Sequence, residues 1–115
     1  MSSSHGTLEN EIMNAVWSVE EGLYDINSSE ISVSDVVKCI NQSGTKRAYT
    51  TVKTVMDRLV EKALLVRVKA GKKFYYSSTS SRRESANIAI KRLAGQYFNN
   101  DINMLMKALE KECLV

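Results

Sequence analysis

Between Tyr49 and Ser77 the chain changes its hydrophobic period, and that change restricts the folds open to it. Val52, Val55, Met56, Leu59, Val60 and Ala63 recur at i, i+3, i+4, i+7, i+8 and i+11. At about 100° per residue they fill an arc of roughly 140° on a helix running from about Tyr49 to Ala63. From Leu64 the residues become β-branched and aromatic. Leu65-Val66-Arg67-Val68-Lys69 and Lys73-Phe74-Tyr75-Tyr76-Ser77 flank Ala70-Gly71-Lys72. Two such runs around a glycine that tolerates positive φ predict a hairpin. Strand alternation further predicts that Tyr75 and Tyr76 divide between surface and core.

Upstream, two shorter helices are predicted. Thr7 stands as the N-cap of a helix from Leu8 to about Val19, with Leu8, Ile12, Ala15, Val16 and Val19 as its apolar stripe. Glu9 and Glu11 suit the positive end of its dipole. The polar stretch Glu20–Glu30 is a loop, and Ile31-Ser32-Val33 alternates like a very short strand. Ser34 then caps a helix over about Asp35–Gln42 with Val36, Val37 and Ile40 inward, and Asn41-Gln42-Ser43-Gly44-Thr45 breaks it. Three helices, a minimal strand and a hairpin in this order predict a mainly α fold of the winged helix-turn-helix type. Residues 1–6 form a Ser/Gly-rich leader and residues 7–79 the winged domain.

Downstream of the hairpin, Ser81-Arg82-Arg83-Glu84 fits a capping box and opens a fourth helix to about Phe98. Its stripe is Ala86, Ile90, Leu93 and Tyr97. Asn99-Asn100-Asp101 breaks the chain and caps it again, and a fifth helix carries Ile102, Leu105, Met106, Leu109 and Cys113 on one side. Two short amphipathic helices beyond a complete winged domain need cover for their apolar faces. In a chain of 115 residues the same pair on a second copy is the simplest source, which makes residues 80–115 a dimerisation region.

The net charge of +3 conceals three unlike segments. Residues 1–45 carry one basic and seven acidic side chains, residues 46–76 nine basic and two acidic, and residues 77–115 six basic and four acidic. A middle segment at +7 makes nucleic acid the first partner to test. The face of helix 49–63 opposite the apolar stripe holds Thr50, Thr51, Lys53, Thr54, Asp57 and Arg58. It is rich in short hydroxyls and lacks the Glu/Lys pairs of an ordinary solvated face. Short polar side chains let a helix approach base edges, and cations reach phosphates or guanines. Lys46 and Arg47 before the helix, and Lys69, Lys72 and Lys73 on the hairpin, are backbone-contact candidates. Lysines on a hairpin edge also guard against edge-to-edge aggregation.

Other functions find little material. The sole histidine, His5, stands in the leader, so Ser-His-Asp or Cys-His relays lack their base. Cys39 and Cys113 form no C-x-x-C unit, so no metal site, cofactor or enzyme activity is expected. No apolar run approaches membrane-spanning length and no signal sequence is visible, so the cytoplasm is the expected compartment.

The chain resembles the penicillinase-repressor family of transcriptional repressors from about Leu8 to Leu109. The landmarks are Glu11-Ile12-Met13 leading to Val16-Trp17, then Ser34-Asp35-Val36-Val37 and Tyr49-Thr50-Thr51-Val52-Lys53-Thr54. Arg58-Leu59-Val60-Glu61-Lys62 and Phe74-Tyr75-Tyr76-Ser77 complete them. The resemblance implies a homodimer whose winged domains each read half of a dyad-symmetric DNA operator. Helix 49–63 would lie in the major groove, the hairpin on flanking backbone and the C-terminal helices in the dimer. It also implies an upstream sensor or protease as a further partner. The Asn-Phe bond cut in penicillin-responsive members is replaced here by Ala108-Leu109, and the paired C-x-C motifs of the copper-responsive branch by Cys113 alone. The alternative reading keeps the fold but makes it a protein–protein interaction module in a larger assembly. Such a face should be more apolar and less rich in lysine than residues 46–76 are.

Overall fold

The computed structural model describes residues 4–113, with side chains from Gly6 to Lys111. The start of the leader, the His5 side chain and the Cys113 thiol lie outside those bounds. Five helices and one hairpin follow in the order α1 (Ser4–Glu20), α2 (Val33–Gln42), α3 (Tyr49–Glu61), β1 (Leu65–Ala70), β2 (Lys73–Ser78), α4 (Arg82–Tyr97) and α5 (Ile102–Cys113). They form two compact units, Met1–Ser80 and Ser81–Val115.

The first unit is a winged helix-turn-helix. Its core is a single cluster drawn from α1, α2, α3 and the hairpin, and Ile12, Val16, Val19, Ile31, Val36, Val52, Met56 and Leu59 are fully enclosed. The whole predicted stripe of α1 lies in it, with Trp17, Tyr24, Ile26, Val37 and Val60 packed at its edge. Burying side chains of this size is worth about 1.5–3 kcal/mol each, which explains why the 3.6-residue pattern was so readable.

The helix ends show where local chemistry overrode the sequence reading. α1 starts at Ser4, so Thr7 lies inside the helix instead of capping it. Glu9 and Glu11 therefore fall beyond the first turn, and they pair with Lys62 and Arg47 rather than with the dipole. α2 is capped by Ser32, not Ser34. The Ser32 hydroxyl accepts from the Asp35 amide at 3.2 Å while the Asp35 carboxylate accepts from the Ser32 amide at 3.0 Å. Only Ser32 has an acidic residue three positions on, and that spacing makes the box reciprocal.

α1 closes in a Schellman motif with Gly22 at φ +81°: Leu23 N–H donates to Ser18 at 2.9 Å and Gly22 N–H to Val19 at 3.0 Å. α3 ends the same way, two residues earlier than its apolar period suggests. Leu64 N–H donates to Leu59 at 2.9 Å and Ala63 N–H to Val60 at 3.0 Å, with Ala63 at φ +63°. Ala63 is thus exposed in the left-handed position that turns the chain into the wing.

β1 and β2 pair antiparallel with Val68 opposite Tyr75 and Ala70 opposite Lys73. The two-residue loop has positive φ at Gly71 and not at Lys72, the pattern of a type II′ turn. The short strand predicted at Ile31 is a single bridge to Tyr76, whose amide donates to the Ile31 carbonyl at 2.8 Å. Tyr76 is buried and Tyr75 only half so, as the alternation requires. The end of β2 is held from two sides. Glu20 accepts from the Ser78 hydroxyl and amide, and the Trp17 indole N–H donates to the Ser80 carbonyl at 2.9 Å.

In the second unit the predicted box at Ser81 and Glu84 caps α4, and Asp101 caps α5 by accepting from the Asn103 and Met104 amides. Asn99 and Asn100 both take positive φ in the turn between the helices. A Cβ on Gly95 of α4 would stand 2.9 Å from Asn100 Oδ1, so a larger residue there would oblige the Asn100 side chain to shift. Among the described residues of this unit, only Ala94 and Leu105 are buried. Leu105 is therefore occupied within the chain, while Ala86, Ile90, Leu93, Tyr97, Ile102, Met106 and Leu109 remain exposed.

Candidate nucleic-acid interface

The outer face of α3 is built from its own periodicity. With Val52, Val55, Met56 and Leu59 in the core, the helix turns Thr50, Thr51 and Thr54 to solvent, with Arg58 half-exposed beside them. Thr50, Thr51, Thr54, Val55 and Arg58 line one shallow depression. The Thr54 hydroxyl donates to the Thr50 carbonyl at 2.9 Å, which leaves the oxygen of this exposed side chain able to accept. Ala48 starts the helix without a side-chain cap, so its first amides have no side-chain acceptor there. At the wing tip Lys72 and Lys73 are exposed. Lys69 lies 5.9 Å from the Phe74 ring centre, and Lys46 is exposed ahead of α3.

The structure assigns several of the +7 segment's cations to intramolecular partners. Arg47 makes a two-pronged contact with Glu11 and donates its amide to Asn41 Oδ1 at 3.0 Å, which ties the α2–α3 connection to α1. The hydrogen bond to Glu11 raises the guanidinium pKa further. Lys62 pairs with Glu9 at 2.7 Å. Lys53 pairs with Asp57 at 2.9 Å, one turn along α3. The expectation of a helix face without such pairs is corrected here: Lys53 and Asp57 form an i,i+4 ion pair at its edge.

Asp57 is the centre of a cluster that sequence reasoning did not assemble. Its Oδ1 accepts from Arg67 of β1 at 3.0 Å and from the Tyr76 hydroxyl of β2 at 2.9 Å, while Oδ2 takes Lys53. Arg67 also lies over the Phe74 ring, 4.6 Å from its centre. Burial alone would raise the Asp57 pKa, but the hydrogen bonds from Lys53, Tyr76 and Arg67 outweigh it, and the carboxyl sits below the usual carboxylate value. Burial, together with the hydrogen bond to Asp57, pushes the Tyr76 hydroxyl up. The one available signal was strand parity: Arg67 and Tyr76 are cross-strand partners, so both face α3.

A winged helix-turn-helix with a threonine-rich outer helix and a lysine-tipped hairpin defines the class of DNA-binding transcription regulators. The chain belongs to the penicillinase repressor family, whose pattern it matches over residues 5–114. Members of that family are transcriptional repressors and not enzymes. No curated protein matches the chain. Among the described residues, no helix is long and apolar enough to cross a membrane.

Proposed function

We propose that the chain is a cytoplasmic, sequence-specific repressor that binds a dyad-symmetric operator as a homodimer. Thr50, Thr51, Thr54 and Arg58 read base edges in the major groove, and Lys53 reaches the groove once it leaves Asp57. Lys46, Lys69, Lys72 and Lys73 bind backbone phosphates. Arg47 joins them only by giving up Glu11, so it serves first to orient the start of α3.

The observation that carries this reading is the exposed rank of three short hydroxyl side chains on one helix of a winged fold. Ordinary solvated helices favour long charged residues, whereas close approach to bases favours side chains of this size. Gel-shift titration of the chain on the DNA immediately upstream of its coding region, on duplexes selected from a randomised pool and on a random duplex, at two salt concentrations, tests it. Tighter binding to an upstream or selected duplex supports the reading, and equal binding to all of them under every condition ends it.

The homodimer reading rests on the second unit's exposed Ile90, Leu93, Tyr97, Ile102, Met106 and Leu109. A second copy supplies a matching face, and two copies place half-sites about one helical turn apart, or a multiple of it. Sedimentation at micromolar concentration checks it, with a dimer expected and a monomer alone refuting it. An upstream sensor or protease would act on such a dimer to release the operator.

A further inference from the structure

The Asp57 cluster is larger than a structural tie needs. One carboxylate on the DNA-facing helix takes both a lysine of that helix and an arginine of the wing, with a buried tyrosine hydroxyl fixing its orientation. Asp57 and Lys53 stand at the edge of the same face that carries Thr50 and Thr54. The carboxylate therefore lies between the two surfaces through which the chain meets the duplex.

We propose that Asp57 is a specificity-determining residue: it withholds Lys53 and Arg67 from sequence-independent phosphate contacts, so that arbitrary DNA meets fewer available cations. Binding without sequence preference comes almost wholly from phosphate neutralisation and the counterions it releases. A cation already in a charge-assisted hydrogen bond gains little by exchanging a carboxylate for a phosphate. Arg67 is held twice, by Asp57 and by the Phe74 ring, and Lys53 is held along its own helix. The carboxylate also repels phosphates directly. Base contacts by the threonines and Arg58 depend on none of these cations, and Lys53 leaves Asp57 only where a matched base edge offers an acceptor in its place. The pairing therefore lowers the affinity for random sequence more than the affinity for a matched site. This inference rests on α3 and the wing being the DNA-facing surface.

The test uses the full chain and a random-sequence duplex of about two helical turns, with anisotropy titrations across a series of KCl concentrations. Asp57→Asn keeps the shape and an acceptor for Tyr76 while removing the charge. It should tighten random-duplex binding about 3- to 10-fold and steepen the log–log salt slope by about one to two units. Glu61→Gln removes an equal charge from the exposed end of the same helix, with no ion pair to release among the described residues, and serves as the reference. Its slope should change by less than half as much. Should Asp57→Asn fail to fold, Asp57→Ser offers a second variant with the same expected direction. A slope for the folded Asp57 variant no steeper than that of Glu61→Gln, or weaker random-duplex binding, overturns the proposal. If the wild-type chain binds no duplex at all, the DNA-facing reading falls with it. If the wild type binds with normal salt dependence and the Asp57 variants leave the slope unchanged, this proposal alone falls.

Discussion

Residues 4–80 and residues 81–113 make opposite use of similar apolar material. In the first unit nine large side chains, among them Ile31, Met56, Leu59 and Leu65, are less than 2% exposed. In the second, Ala94 and Leu105 alone are buried among the described residues, and Tyr97 is 72% and Met106 52% exposed. Both units have well-made helix ends, including a full capping box on α2 and another on α4. Local chemistry is thus equally good in the two regions, and what differs is closure. A winged domain completes its core within one chain, whereas a two-helix unit has too few facing surfaces to do so. Stability of the first should be independent of concentration, and that of the second should depend on its partner.

The comparison can be broken from either side. Leu59→Ala removes a fully enclosed side chain and should cost the first unit about 2–5 kcal/mol, seen as a lower urea midpoint at every protein concentration. A concentration-dependent loss would contradict the closed core. Leu93→Glu places a charge in the exposed α4 stripe and should weaken the proposed dimer about 30-fold or more by sedimentation, with the fold of the first unit intact. If the dimer persists, its surface lies elsewhere. Ala63→Gly relieves a left-handed alanine and should stabilise the first unit by about 1 kcal/mol, with no change in dimer affinity.

The smallest expected effect is a pH dependence. The Asp57 pKa is depressed in the folded state, so its contribution is present above the ordinary carboxylate value of about 4 and lost as pH falls through the lower folded value. The wild type should exceed Asp57→Asn in stability by about 1 kcal/mol or less near pH 6, given the partial exposure of the pair. Urea melts at descending pH should bring the two together as the pH falls below the ordinary carboxylate value of about 4 and through the lower folded one. Curves that stay parallel throughout the acid range would mean that the carboxylate's charge contributes nothing.

What the sequence displayed was whatever is encoded within one or two turns of chain. The α3 stripe, the hairpin turn at Gly71, and the caps at Ser81 and Asp101 are all local, and each appears in the fold. The α2 cap was also local, but two serines two residues apart compete for it, and only the spacing to Asp35 decides. The end of α3 was hidden because Ala63 continues the apolar period although its backbone has already left the helix. Ion pairs divide in the same way. Lys53 and Asp57 stand only four residues apart, yet the expectation of a face without such pairs passed over them, because i,i+4 spacing permits an ion pair without requiring one. Arg47 with Glu11 and Lys62 with Glu9 join segments 36 and 53 residues apart, which only the packed core brings together. The candidate interface was therefore legible in its threonines and not in its charges. Counting nine basic residues gave the sign of the surface and overstated how many of them stand ready for phosphate.

The indole of Trp17 donates to Ser80 at the end of the first unit, and it is the chain's only tryptophan. Its emission is thus a reporter confined to one of the two units. Far-UV circular dichroism sees the helices of both, so recording the two signals together during unfolding would separate loss of the winged core from loss of the C-terminal helices in one sample, without a label.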